Sequence, residues 1–156
     1  MILLGWIMKN GVRIMIDAKR YLQQIKLYDS RINTKLEELH HLKEMVLRIT
    51  PTLKDDVVSG GGGSQDKLAD AVTKIVDLEA EIDRDIDSFI DSRRLIVDTI
   101  DKLSNPDQIQ VLHKRYVQYK TLERIACDMN MSYRNVCYIH GKGLQAVNEI
   151  MKGKNE

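Results

Sequence analysis

The stretch TLERIACDMNMSYRNV, residues 121–136, contains the signals of two short helices separated by a tight turn. The hydroxyl of Thr121 can cap the first helix by accepting a hydrogen bond from a backbone amide in the first turn of that helix, and the hydroxyl of Ser132 can cap the second helix in the same way. Asn130, between them, tolerates the left-handed backbone conformation that a short interhelical turn requires. We therefore predict a helix–turn–helix unit here.

Apolar residues at helical spacing mark the inner faces of both helices. The first helix carries Leu122, Ile125, Ala126 and Met129, and the second carries Val136, Ile139, Gly143, Leu144 and Val147. Upstream, the run SNPD at residues 104–107 combines a capping residue with proline at an early helical position, which predicts a preceding helix that continues through Tyr116. Residues 104–156 are therefore predicted to form a three-helix module.

The outer side of the second helix is polar near its start, as in a recognition helix that enters the major groove. Arg134 and Asn135 are residue types that make paired hydrogen bonds to guanine and adenine edges. Tyr133, Tyr138 and Lys142 can reach phosphates or thymine methyl groups. An ordinary helical hairpin with a solvated polar side is the alternative interpretation. The predicted DNA-contacting residues are Tyr133, Arg134, Asn135, Cys137, Tyr138, Lys142, Arg124 and Lys120.

The order of residues in this run resembles region 4 of sigma factors. The Ile125-Ala126 pair, the short turn, the Ser132 cap and the inward Val136 follow one another as in that family, and the run LHKRYV at residues 112–117 looks like the family's preceding helix. The resemblance implies that base and phosphate contacts fall on Tyr133, Arg134, Asn135, Cys137, Tyr138 and Lys142. Asn130 departs from the glycine usual in the turn, and Gly141 and Gly143 replace residues that favour a helix.

The whole chain is similar in architecture to small phage-encoded regulators of the ArpU and RinA kind, some of which begin with an Ala-Lys-x-Tyr-Leu run. The residues AKRYL at 18–22 match that start. This resemblance implies control of phage late or packaging genes and supports Met15 as the natural first residue. Since the other regions of a sigma factor are missing, promoter melting is not expected.

Two long amphipathic segments precede the module, with apolar seams at alternating three- and four-residue steps. The first seam comprises Leu22, Ile25, Ile32, Leu36, Leu39 and Val46, and is interrupted by Asp29 and Lys43. The second seam comprises Leu68, Val72, Ile75, Ile82, Ile86, Phe89, Ile96, Ile100 and Leu103, and is interrupted by Glu79 and Arg93. Pro51 is expected to end the first helix.

Two helices of matching length joined by a glycine-rich connector can bury their seams by folding back on each other. We therefore predict an all-α protein in which a long antiparallel, coiled-coil-like hairpin over residues 17–103, with a loop at 51–65, precedes the module at 104–156. Residues 1–16 are predicted to be an extension that is too interrupted for a membrane span and a poor signal peptide. Only eight aromatic residues and a charged fraction of 30% agree with a helical protein.

The net charge of +1 conceals an uneven distribution along the chain. Residues 60–103 carry 11 acidic and 6 basic groups, whereas residues 104–156 carry 5 acidic and 8 basic groups. Asp83, Asp85 and Asp87 alternate like a calcium loop but lie on a predicted helix without a glycine turn, so a solvated face is the preferred interpretation. That acidic face is a candidate contact for RNA polymerase.

Nothing in the sequence indicates an enzyme, a metal site or a cofactor. The four histidines are predicted to be surface or boundary residues, and Cys127 and Cys137 are predicted to be reduced thiols in a cytoplasmic protein. The partners expected are double-stranded DNA and a second copy through the helical hairpin. The competing hypothesis is a helical interaction protein, either an adaptor or a small phage packaging subunit.

Overall fold

The computed structural model describes residues 6–9, 12–15, 17–55 and 62–153. Two short strands, β1 (Trp6–Lys9) and β2 (Val12–Met15), pair in antiparallel register, with Trp6 opposite Met15 and Lys9 opposite Val12. They lie in the segment for which the sequence predicted only an extension.

Within the described residues, five helices follow the strand pair. They are α1 (Ala18–Asp55), α2 (Gly62–Asp101), α3 (Pro106–Leu112), α4 (Leu122–Asp128) and α5 (Tyr133–Gly153). The chain winds into one wider π-helical turn over His113–Val117, directly after α3. The predicted all-α fold, a long helical pair followed by a three-helix helix–turn–helix module, is confirmed.

The described chain divides into two compact units. One unit contains the start of α1 up to Leu27, the end of α2 from Ile90, and helices α3 to α5. The other contains residues Tyr28–Phe89, which are the remaining parts of α1 and α2. The ends of the long helices thus group with the C-terminal module, while the domain boundary predicted near Leu103 stays a prediction.

In the first unit, α5 satisfies a backbone group at the start of α1. The amide of Ala18 donates to Oδ1 of Asn148 at 2.9 Å, which supplies a partner for one of the four amides that a helix start leaves unpaired. Further along, the hydroxyls of Tyr21 on α1 and Thr99 on α2 are 3.2 Å apart and buried. Within this unit, the first contact connects α1 to the module and the second connects α1 to α2.

In the second unit, α1 and α2 run antiparallel. Lys35 pairs with Asp85, and Lys43, eight residues later on α1, pairs with Glu79 at 2.7 Å, six residues earlier on α2. Basic residues of α1 thus meet acidic residues of α2 beside the core, as at Lys43 and Glu79.

Twelve of the fifteen predicted seam residues are buried or half-buried, and the three exceptions, Leu36, Val72 and Ile86, lie at alternate seam positions in the unit Tyr28–Phe89. The set Ile32, Leu39, Ile75 and Ile82 is buried or half-buried as expected. The alternate positions are displaced by one residue, since Lys35, Leu42, Ala71 and Leu78 face inward. Leu36 and Val72, which the pattern placed in the seam, are exposed, and Lys43 and Glu79 form a flanking ion pair instead of interrupting the core.

Lys35 and Asp85 explain the displacement. A lone charge in an apolar seam is costly, so the pattern favoured Leu36 and Ile86, but two opposite charges that meet remove most of that cost. Lys35 Nζ lies 2.8 Å from Asp85 Oδ2 and 2.9 Å from Glu81 Oε2, and Arg31 lies 3.9 Å from Asp85 Oδ1. The hydrogen bond from Lys35 is the main cause that lowers the pKa of Asp85 and, reciprocally, raises that of Lys35.

The expectation of a solvated face over Asp83, Asp85 and Asp87 is therefore wrong for Asp85. Only 16% of its side chain is exposed, and it faces Lys35 on α1. Asp83 and Asp87 are exposed as predicted.

Pro51 does not end α1, which continues to Asp55. A proline inside a helix removes one hydrogen bond and kinks the axis, yet the helix can resume beyond it. Likewise, Gly62–Ser64 belong to the first turn of α2 rather than to the predicted loop at 51–65. The part of that loop at residues 56–61 lies outside the described residues.

The core of the module joins α3, α4 and α5. Its buried residues are Val111, Ile125, Ala126 and Val136, and Leu122, Met129, Met131 and Ile139 pack around them. The predicted inner faces of α4 and α5 are thereby confirmed.

Gly143 allows α5 to approach α3 closely. A Cβ at Gly143 would lie 3.1 Å from Cδ1 of the fully buried Leu112, whereas a Cβ at Gly141 would meet nothing within 4 Å. The sequence placed Gly143 on the inner face of the helix, but it gave both glycines only a destabilising effect on the helix. The structure distinguishes the roles of the two glycines. Gly143 packs closely against Leu112, whereas Gly141 has no neighbour at its Cβ position.

These two glycines provide a matched pair of substitutions. Gly141→Ala should stabilise the protein by about 0.5–1 kcal/mol because alanine favours the helix. Gly143→Val should destabilise it by about 1–3 kcal/mol because the larger side chain would crowd the fully buried Leu112. Urea unfolding of both variants measures the difference, and equal effects would contradict the close approach of α5 to α3.

Candidate nucleic-acid interface

The turn between α4 and α5 has the local structure that the sequence predicted. Thr121 Oγ1 accepts from the amide of Arg124 at 3.3 Å, and Ser132 Oγ accepts from the amide of Asn135 at 3.2 Å. Asn130 has a φ of 50°, in the left-handed region. Both caps and the turn residue are confirmed, and together they fix how α5 leaves α4.

The predicted contact residues of α5 lie on one exposed side of its first three turns. Tyr133 and Tyr138 are 50% and 65% exposed, and Arg134, Asn135 and Lys142 are also exposed. The intervening Val136 is fully buried and Cys137 is half-buried. The structure thus brings this part of the predicted site together, and Cys137 is its least accessible member.

Local contacts orient some of these side chains. Lys142 Nζ lies 5.9 Å from the centre of the Tyr138 ring, within the range of a cation–π interaction. Asn135 Nδ2 lies 3.5 Å from Sδ of Met131 in the turn. A hydrogen bond with Cys137 is the largest cause that raises the pKa of Tyr133 above its usual value of 10.0, and the electrostatic interactions with Cys137 and then with Glu123 act in the same direction.

Glu123 links the start of α4 to the start of α5. A hydrogen bond to its own backbone amide and another to the Thr121 hydroxyl lower the pKa of Glu123, with a smaller contribution from the Tyr133 hydroxyl. A carboxylate in the first turn of α4 also complements the positive end of the helix dipole. Glu123 is therefore an acidic neighbour of Tyr133, one of the predicted contact residues.

Lys120 and Arg124, the other two predicted contacts, gather around Asp128. Lys120 Nζ lies 2.6 Å from Asp128 Oδ2, Arg124 Nε lies 3.2 Å from Oδ1, and Lys114 Nζ lies 3.7 Å from Oδ2. The hydrogen bond from Lys120 is the largest of the causes that lower the pKa of Asp128. Three cations around one carboxylate leave a local excess of two positive charges.

Sequence reasoning missed Lys114 and Asp128 as members of this cluster. Tyr119, with a φ of 58°, turns the chain so that the amide of Lys120 donates to the carbonyl of Lys114 at 2.9 Å. Arg115 reinforces the bend by donating to the carbonyl of Lys120. A left-handed tyrosine is uncommon and has no simple sequence signal, so the return of Lys120 toward Lys114 could not be foreseen.

His140 is a boundary residue, as predicted, and packs against the buried Tyr116. Its Nε2 lies 3.0 Å from the Tyr116 hydroxyl, and the two rings stack with their centres 5.8 Å apart. Burial, together with the nearby charges of Arg115 and Lys19, lowers the pKa of His140 below its usual value of 6.5. The imidazole is therefore neutral near pH 7 and can accept the tyrosine's hydrogen bond.

This environment predicts a pH dependence. Since the pKa of His140 is lower in the folded than in the unfolded state, the unfolded state binds more protons as the pH falls below about 6.5, and stability decreases in that range. Between about pH 7.5 and pH 5, the melting temperature of wild type should fall by a few degrees more than that of His140→Gln. Parallel pH profiles of the two proteins would contradict the buried neutral imidazole.

The described part of the chain contains no cluster of histidine, cysteine or acidic side chains arranged to hold a metal ion. Both cysteines are free thiols. No described helix has an apolar stretch long enough to cross a bilayer.

One family model matches the chain. The family described as Protein of unknown function (DUF1492) covers residues 47–149, which include all of α2, the helix–turn–helix unit and most of α5. The match does not confirm a relationship to the ArpU and RinA regulators. Comparisons with curated proteins and with solved structures gave no significant match. Because the matched span is more than half of the chain and contains the whole candidate interface, the chain belongs to the DUF1492 family.

Proposed function

We propose that this protein is a sequence-specific double-stranded DNA-binding regulator of transcription that inserts the start of α5 into the major groove. The observation that carries the proposal is the division of α5 into two sides. Val136 and Gly143 are buried against α3 and α4, while Arg134, Asn135 and Tyr138 point outward directly after the turn. The resemblance to phage regulators supports phage or prophage genes as the target.

Two features of the module favour a DNA duplex over a purely structural role. The exposed residues at the start of α5 include an arginine and an asparagine, which can read guanine and adenine edges. The cluster of Lys114, Lys120 and Arg124 supplies positive charge around Asp128, the last residue of α4, where backbone phosphates can be bound. Base-reading and phosphate-binding groups are thus present in one module.

Selection from a random duplex library tests the proposal directly. The full-length protein should enrich one short motif, and its affinity for that motif should fall steeply as salt rises, because counterions are released when phosphates are bound. A competing duplex with the motif scrambled should bind at least about a thousandfold more weakly. Equal retention of all duplexes at both low and high salt would overturn the proposal.

Asp128 provides a second, finer prediction. Asp128→Asn should free three cations and tighten DNA binding, with a slope of log affinity against log salt that is steeper by about one. Asp107→Asn, which removes the same charge from the exposed first turn of α3, is the matched control. Titrations at several salt concentrations, together with melting curves, measure the effect. Weaker binding by a variant that melts like wild type would show that the cluster does not bind phosphate.

The competing function is a helical interaction or packaging protein. The exposed apolar side chains on the helical pair, such as Leu47 and Val76, favour a protein partner for that part of the chain. Contact with RNA polymerase through α2 stays a proposal that rests on its excess of acidic residues. A ring of many subunits in solution would favour packaging, whereas selective DNA binding by a monomer or dimer favours regulation.

A further inference from the structure

One side of the α1–α2 pair in the unit Tyr28–Phe89 is apolar and exposed. We call it the apolar flank, and it comprises Leu36, Leu47, Val72, Val76 and Ile86. Leu36 lies seven residues before Lys43, and Val72 and Ile86 lie seven residues before and after Glu79, so they share the side of the pair on which Lys43 and Glu79 meet. Leu47 and Val76 lie four residues beyond Lys43 and Val72, next to that row.

The opposite side has a different character. It is marked by the ion pairs of Arg31 and Lys35 with Asp85 and Glu81. The residues at seven-residue steps from Arg31 and Glu81 on this side are Glu38, Met45, Lys67, Lys74 and Ser88. Charged residues thus dominate this side, whereas the apolar flank carries five exposed branched apolar side chains around the Lys43–Glu79 ion pair.

We propose that the apolar flank binds the apolar flank of a second copy of this chain in a two-fold symmetric dimer, which forms a four-helix bundle. Apolar side chains exposed to this degree, with Leu47 at 71% and Val76 at 59%, are stabilised when a partner covers them. Two helical pairs that meet through one side bury two apolar stripes in the same step.

Charge complementarity identifies the partner as a second copy. Helix α1 carries eight basic and five acidic residues, whereas α2 carries five basic and eleven acidic residues. In the dimer that we propose, the two-fold axis runs parallel to the helices and places α1 of each copy against α2 of the other, so unlike charges alternate around the bundle. On the flank itself, His40 and Lys43 of one copy then approach Glu79 and Asp83 of the other.

The dimer does not depend on the proposed DNA binding, although a two-fold dimer would present two copies of α5 to two half-sites. Its test is therefore the mass of the full-length protein in solution without DNA. Wild type should sediment as a dimer at about 10 μM, and the dissociation constant should rise at least about a hundredfold for Leu36→Glu/Val76→Glu. Met45→Glu, which adds a carboxylate to an exposed methionine on the charged side, is the control and should remain dimeric.

Circular dichroism measures the helical content of each variant and so distinguishes loss of the dimer from unfolding of the chain. The double variant should retain the helical content of wild type, because both substituted side chains are exposed. Leu36→Gln/Val76→Gln, which adds no charge, should also weaken the dimer. Wild type that remains monomeric at about 100 μM, a folded double variant that remains dimeric, or a ring of more than two subunits would each overturn the proposed dimer.

Discussion

Val136→Asp is expected to unfold the C-terminal module. Val136 is fully buried among Val111, Ile125 and Ala126, and none of these offers a partner to a carboxylate. The change forfeits the burial of an apolar side chain, about 1.5–3 kcal/mol, and encloses an unpaired charge at a cost of several more. Because a whole domain is stable by only about 5–15 kcal/mol, the helical signal of the module should be lost near room temperature.

Asn135→Asp is the control for that experiment. It introduces the same side chain one residue earlier, at an exposed position in the first turn of α5, where a carboxylate complements the helix dipole. Its melting curve should match that of wild type or lie slightly higher. If Val136→Asp also melted within a few degrees of wild type, the assignment of Val136 to the core would be wrong.

Arg134→Ala/Tyr138→Ala should reduce affinity for the selected DNA motif by at least about a hundredfold. Each good contact to a base edge contributes about 1–3 kcal/mol of discrimination, and the double variant removes one arginine and one aromatic contact. Both side chains are exposed, so the melting temperature should not change. A fluorescence titration with the motif and with a scrambled duplex separates the loss of specificity from a general loss of affinity.

Lys152→Ala is the matched control on the same helix. It removes a positive charge near the end of α5, where Lys152 forms an exposed ion pair with Glu149. Its affinity for the motif should remain within a factor of about three, since surface charges far from the interface are screened by salt. Unaltered binding by the double variant would move the DNA contact away from the start of α5.

The parts of the fold that depend on local chemistry could be predicted from the sequence. Thr121, Ser132 and Asn130 act on backbone groups within three residues of themselves, so their side chains alone indicate the caps and the turn. The inner face of α5 was equally clear, because Val136, Ile139 and Val147 recur at helical spacing. Exposure of Arg134 and Tyr138 follows from that face.

The remaining features depend on residues distant in sequence. Alternate seam positions in the unit Tyr28–Phe89 were misplaced by one residue, because Lys35 is favourable inside only when Asp85, fifty residues later, lies opposite it. The sequence does not indicate that His140 forms a hydrogen bond with Tyr116. It also does not indicate that Lys114 forms an ion pair with Asp128. The destabilising effect of Gly143 on the helix can be read from the sequence, but its close contact with the side chain of Leu112 cannot.

The Lys35–Asp85 ion pair, which lies within the two long helices, sets the alignment of α1 against α2. If α1 slid past α2 by one heptad, Lys35 and Asp85 would each lose the counter-charge inside the seam, which is far less favourable than the observed pairing. The alignment then does not depend on the length of the segment that joins α1 to α2. Relatives with longer or shorter connections should retain the pairing of Lys35 with Asp85. A foreign peptide inserted between Gly60 and Gly61 should leave the alignment of α1 and α2 unchanged.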